Sequence, residues 1–319
     1  MAVPQVDVAG ARAFVLAHGS AVDVARLEGI FGRTEPDRRV VKLLEGLQNP
    51  DGGFPITAVA GGLEAEKDSI TVPDAPRAAR DDATVPGGPA TAGKTGASGE
   101  SSVAATCLVL AQLRDIPPLA GSPMASRAVA FLRRSQAVDG SWSEAVAGPG
   151  SEVQDWPGRV NLAAGAAYVL AVMEPDHPDP IVRSAKWLRR TLADEGEHIS
   201  ADRAGRTSPD RPDGIHGRTL SLAAAVWGHT GDRSSQDGAY RHLERLDLAA
   251  PDLAGWLTTF VELGVSARHL GMVLRQLDRL AAMQQADGSW PGGDGSAVEA
   301  TLTALRVFRG FGLVALQGE

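Results

Sequence analysis

At 319 residues and 33.2 kDa, with 43% apolar residues, the chain has room for one large domain or two modest ones of about 100–200 residues each. A net charge of −8 and a pI near 5.4 argue against a nucleic-acid surface, which needs a clustered basic stripe. Cys107 is the single cysteine, which argues against a disulfide framework or a Cys-rich metal site and fits a reducing cytoplasm.

Helical periodicity starts early, at 7–18 and 22–31, and is clear at 37–48, where Val40, Val41, Leu44 and Leu47 share a face. The next stretch, 55–99, is rich in Gly, Ala, Pro, Thr and Asp and has no sustained period. It reads as a long insertion, either disordered or a lid. A smooth, nearly dry helix follows at 101–113, then an amphipathic one at 124–136 with Ala125, Val129 and Leu132 on one side. Residues 159–173 are dry again and 180–194 are half-wet; 200–217 form a polar stretch holding Asp202, Asp210, Asp213 and His216. The alternation continues with 218–228 (dry), 236–246, 253–264 (dry), 268–284 (amphipathic) and 296–308 (dry).

Helices that are wet on one side alternate with helices apolar nearly all round, which predicts two concentric layers. The expected class is all-α: a single α/α toroid over 1–319, of about six hairpins, with the insertion at 55–99. Strand signals are weak. No run of about 18 apolar residues offers a membrane span, and the first residues lack the basic start and apolar core of a signal peptide, so a cytoplasmic protein is expected.

Three times an amphipathic helix closes on the same phrase. Gln48-Asn49-Pro50-Asp51-Gly52-Gly53-Phe54, Gln136-Ala137-Val138-Asp139-Gly140-Ser141-Trp142 and Gln284-Gln285-Ala286-Asp287-Gly288-Ser289-Trp290 share a Gln, an Asp-Gly turn, a small residue and an aromatic. The phrase closely resembles the QW repeat of terpenoid cyclases and of protein prenyltransferase β-subunits. In that superfamily the Gln and Trp pin a helix end to the turn beyond it, so Trp142 and Trp290 are expected to be structural. The resemblance implies a toroid around a greasy cavity that accommodates an isoprenoid.

The same resemblance directs attention to particular residues. The prenyltransferases hold a catalytic zinc with Asp, Cys and His; the stretch 150–156 resembles theirs in outline, but Val160 and Asn161 stand where the cysteine is needed. Class II cyclases protonate their substrate with an Asp-x-Asp-Asp motif, absent here. When that motif is laid over 98–106, Glu100 takes the place of the central acid, although a Glu followed by serines also suits an ordinary helix start. Asp155 and His216, each just before a dry helix, are candidates for the base that ends the cation, or simply capping and surface residues. Trp156, Tyr168, Trp227 and Trp256 are candidate lining aromatics, though aromatics make up only 5% of the chain. Arg159 and Arg218 open dry helices and are candidate diphosphate ligands; Asp213 lies at one mouth, and Glu299, if it faces the cavity, is a buried carboxylate that needs a partner.

Two functions are therefore expected from the sequence. The first is a small class II-like cyclase or isomerase that protonates an isoprenoid. The second is a non-catalytic toroid that binds a lipid or a partner protein. Neither needs a cofactor, apart from magnesium if the substrate is a diphosphate.

Overall fold

The computed structural model describes residues 5–32, 35–60, 99–144, 156–202, 217–293 and 295–314. Asp155, Asp213 and His216, and most of the 55–99 insertion, lie outside the described residues.

The chain is mostly helical, as its alternating periodicity predicts. The five smooth segments become α5 (Val103–Leu113), α8 (Trp156–Met173), α10 (Gly217–His229), α12 (Ala250–Leu263) and α14 (Ala297–Gly310), and α2 (Ala21–Ile30), from the stretch at 22–31, packs with them. Their companions are α1 (Val8–His18), α3 (Arg38–Leu47), α7 (Pro123–Arg134), α9 (Pro178–Asp202), α11 (Arg233–Leu243) and α13 (Leu270–Ala282). Starts are fixed by capping: Ser20 and Asp23 form a reciprocal capping box on α2, and Ser122, Asp232 and Ser296 cap α7, α11 and α14. Short elements escape the periodicity, namely α4 (Thr57–Ala60), α6 (Pro117–Ala120) and a 3-10 turn at Ala267–His269. A two-residue antiparallel pairing of Phe54–Pro55 with Ser101–Ser102 is the strand content of the described residues.

Packing follows chain order. α5 lies against α8, α8 against α10, α10 against α12, α12 against α14, and α14 against both α2 and α1. α2 in turn reaches the end of α5: a β-carbon at Gly29 would stand 1.9 Å from the Asp115 carbonyl oxygen. The companions pack on these helices, as in α5 with α7, α8 with α9, α10 with α11 and α12 with α13. Large side chains fill the space between them. Trp142, Trp256, Trp290, Phe54 and Phe308 are fully buried, and each buried Leu, Val or Phe side chain contributes about 1.5–3 kcal/mol relative to exposure.

The three repeated phrases are latches between companion helices. Each Gln amide donates to the carbonyl of its own turn glycine and to a carbonyl at the start of another companion helix. Gln48 Nε2 donates to Gly52 and Met124 at 2.9 Å each, Gln136 to Gly140 and Pro180 at 3.2 and 2.8 Å, and Gln284 to Gly288 and Asp7 at 2.9 Å each. The amide oxygens accept from Arg127, Arg183 and the Asp7 N–H respectively. The turn glycines have φ of +90°, +95° and +84° and touch the neighbouring helix, so a side chain there is barred twice over. Trp142 and Trp290 each donate from the indole back to the helix just completed, to Leu132 and Leu280.

Candidate functional site

A cavity of about 130 Å3 lies where α2, α5, α8, α10, α12 and α14 converge. Each helix contributes residues at helical spacing: Cys107, Ala111 and Arg114 from α5, Gly255 and Thr258 from α12, Glu299, Thr303 and Arg306 from α14. Gly165 and Tyr168 come from α8, Arg218 from α10 and Arg26 from α2. Apolar side chains, Leu108, Val169 and Leu222 among them, share the wall with charged ones. A dry helix can carry a charge on its inner face only if another helix supplies the opposite charge, and this is the arrangement found.

Arg26 Nε donates to Asp115 at 2.9 Å, and its two terminal nitrogens engage Glu299. Arg306 pairs with the other Asp115 oxygen at 2.8 Å and also with Glu262. Glu262 further receives Arg114 and the Tyr168 hydroxyl. Asp23 also stands 3.6 Å from Arg26, so three guanidiniums meet four carboxylates, and Arg114 lies over the Tyr168 ring, 5.5 Å from its centroid.

Titration follows from this geometry. Burial works against the charge on Arg26, but Glu299 and Asp115 outweigh it and hold its pKa above the ordinary arginine value. Arg114 is likewise held up by Glu262 against the cost of its burial. Burial and the adjacent Glu262 keep the Tyr168 phenol protonated, so it serves as a donor. Desolvation tends to raise Glu299, yet Arg26 brings it below the usual carboxylate range. Burial pushes the Cys107 thiol up to about 12, which leaves it neutral and a poor nucleophile.

The sequence-stated candidates scatter. Glu299, Arg218 and Tyr168 do line the cavity, and Glu299 has its partner in Arg26. Trp227 and Trp256 do not: the Trp227 indole donates to Ala185 on α9, and Trp256 packs against Tyr240 and Phe260. Both indoles face the companion helices, α9 for Trp227 and α11 for Trp256, instead of the cavity. Arg159 belongs to the second latch, donating to Ser141 at 2.9 Å and standing over Trp187. Trp156 opens α8.

Glu100 is exposed and borders an open depression of about 710 Å3 beside the first latch, with Asp51, Ser101 and Glu144. The acids around it have structural duties. Asp51 closes the latch turn and accepts from Ser101. Glu144 accepts from the N–H groups of Val103 and Ala104 at 3.0 and 2.7 Å and so neutralises the start of α5, the position at which sequence reasoning places Glu100.

Sequence reasoning missed Arg26, Arg114, Asp115, Glu262 and Arg306. Their signal was available: isolated charges inside or just past otherwise apolar helices, with no opposite charge three or four residues away for most of them. Among the described residues no group of three His, Cys, Asp or Glu side chains could hold a metal ion. The carboxylates around the cavity are paired with guanidiniums. No helix of the described residues is long and apolar enough to cross a membrane.

No known family model matches the chain, and no curated protein is similar to it.

Proposed function

We propose that the chain is an α/α toroid that acts as a non-catalytic binding scaffold, with a polar ligand at its centre. Support for the ring comes from the run of helix contacts that returns from α14 to α1 and α2. The third latch adds to it by joining Gln284 to Asp7. The same latch chemistry supports kinship with the QW-repeat proteins.

One observation carries the functional reading: the centre is a cavity of about 130 Å3 walled by paired charges. Sites for drug-sized organic ligands span about 300–1,000 Å3 and are mostly apolar. A polyprenyl chain therefore lacks the volume it needs there, and the cyclase reading has no buried acid at Glu100 to start the reaction.

The test has two arms. Incubation with polyprenyl diphosphates of several lengths is expected to return every substrate unchanged. Native mass spectrometry of the gently desalted protein is expected to show a small retained mass that disappears in Gly255→Leu. An isomerised or cyclised product, abolished by Glu100→Gln, would overturn the binding reading in favour of protonation chemistry.

A further inference from the structure

We propose that Ser266 is an acyl-acceptor site, a serine that His269 and Asp237 prepare to take one acyl group from a thioester or an aryl ester. Ser266 and His269 lie where the chain passes from α12 to α13, and Asp237 lies on α11. None of the three lines the central cavity, so the site stands apart from the binding role.

Two hydrogen bonds run in line through one imidazole. Ser266 Oγ is 2.9 Å from His269 Nδ1, and His269 Nε2 is 3.0 Å from Asp237 Oδ1. An ionised carboxylate can only accept, so Asp237 places the proton of the neutral ring on Nε2. Nδ1 is then a bare lone pair, and the Ser266 hydroxyl donates to it. Nucleophile, base and orienting carboxylate thus stand in the order that acyl transfer to a hydroxyl requires. Either ring nitrogen serves as the base once the other holds the proton.

The ring is firmly held. Tyr240 meets it edge-on at 4.9 Å and Phe260 lies 6.5 Å away, centroid to centroid. Asp237 is fixed in turn by Arg268, which donates to its other oxygen at 3.0 Å. The His269 side chain is 12% exposed while Ser266 is open to solvent, a shielded base beside an accessible hydroxyl. Ser266 also departs from the habit of this chain. Ser20, Ser102, Ser122 and Ser296 open helices from extended backbone, and each accepts from a backbone N–H of the first turn. Ser266 opens the 3-10 turn from the same backbone region without such a bond, because its hydroxyl is spent on His269.

In the transfer, Ser266 Oγ bonds to the acyl carbon while its proton passes to His269 Nδ1. The bond from that carbon to the thiolate or phenolate breaks, and the leaving group then takes the proton. The products are an acyl-serine ester and a free thiol or phenol. The trio supplies nothing for the carbonyl oxygen, so only a donor with a good leaving group reacts, and the ester formed is slow to hydrolyse. One acyl group per chain is a modification without turnover.

The probe is p-nitrophenyl acetate. The full chain is expected to release one equivalent of nitrophenolate in an initial phase and to gain one acetyl group, mapped by peptide mass spectrometry to Ser266. Ser266→Ala, at an exposed position, should lose both the phase and the label while keeping the wild-type circular dichroism. His269→Gln should slow labelling about a hundredfold, the usual worth of a general base. Asp237 is a positioning residue: Asp237→Asn should slow labelling roughly tenfold or more, and Asp237→Glu should restore most of the rate. Acetyl spread over other side chains with Ser266 unlabelled refutes the proposal. So does labelling of Ser266 at the wild-type rate in His269→Gln or, should that variant not fold, in Asp237→Asn. Such a failure leaves the scaffold reading intact, because that reading is tested with polyprenyl diphosphates and by the mass retained at the centre.

Discussion

Asp7 and Gln284 exchange two hydrogen bonds across 277 residues of chain: the Asp7 N–H donates to Gln284 Oε1 at 2.8 Å, and Gln284 Nε2 donates back to the Asp7 carbonyl at 2.9 Å. The other two latches join α3 to α7 and α7 to α9, neighbours among the companion helices; this one joins the last companion helix, α13, to the first, α1. Gln284→Ala removes these bonds and the one to Gly288, and should cost about 1–3 kcal/mol. Gln284→Glu should be worse, since a carboxylate cannot donate to the two carbonyls that the amide serves. Urea unfolding of both variants checks the order; a Glu variant as stable as wild type would show that the latch carries no weight.

Much of this architecture is legible in the sequence because its signals are local. The Asp-Gly turn, the Gln that closes each outer helix and the smoothness of the inner helices all lie within a few residues of one another. Orientation is not local. In α12 the sequence shows Trp256 and Phe260 as well as Gly255, Thr258 and Glu262, all compatible with a buried helix, and only the neighbouring α11 decides that the aromatics point outward. The ion-pair centre was hidden for the same reason. Arg26 meets Asp115 and Glu299 from 89 and 273 positions away, distances at which no periodicity can register a pair.

The cavity glycines are predicted to be stability sacrificed for space. Gly165→Ala and Gly255→Ala place a methyl where nothing stands within 4 Å. Relief of the glycine penalty inside a helix should stabilise each variant by about 0.5–1 kcal/mol. Unfolding midpoints of the two single variants and the double variant measure this. A loss of stability in both would mean that these positions are packed, and the open centre would have to be abandoned.

Glu262 is the hub of the buried network, 4% exposed at its side chain and serving Arg114, Arg306 and Tyr168. Glu262→Leu strands Arg114, leaves Arg306 with Asp115 alone and should cost about 3–5 kcal/mol. The triple replacement Arg114→Met/Glu262→Leu/Arg306→Leu removes the charges together and should recover most of that loss, with Asp115 still held by Arg26. Denaturant unfolding of the single and triple variants separates the penalty of an unpaired charge from the worth of the pair. If the triple variant is no more stable than the single one, the network stabilises by more than mutual neutralisation.

Acid should loosen the α2–α14 contact through Glu299. Desolvation raises this carboxyl, but Arg26 prevails and sets its folded pKa below the ordinary 4.5. A group depressed on folding adds stability above its unfolded pKa and loses it as pH falls through the folded value. The contribution is therefore complete at neutral pH, begins to fade near the ordinary value and is gone once Glu299 is protonated in the folded state. Half exposure of the side chain keeps it modest. Glu299→Gln should lower stability at neutral pH and flatten the acid limb of the stability profile, so that the two curves converge as the pH drops. Parallel curves from neutral to acid would place the acid sensitivity elsewhere and leave the Arg26–Glu299 pair without a part in it.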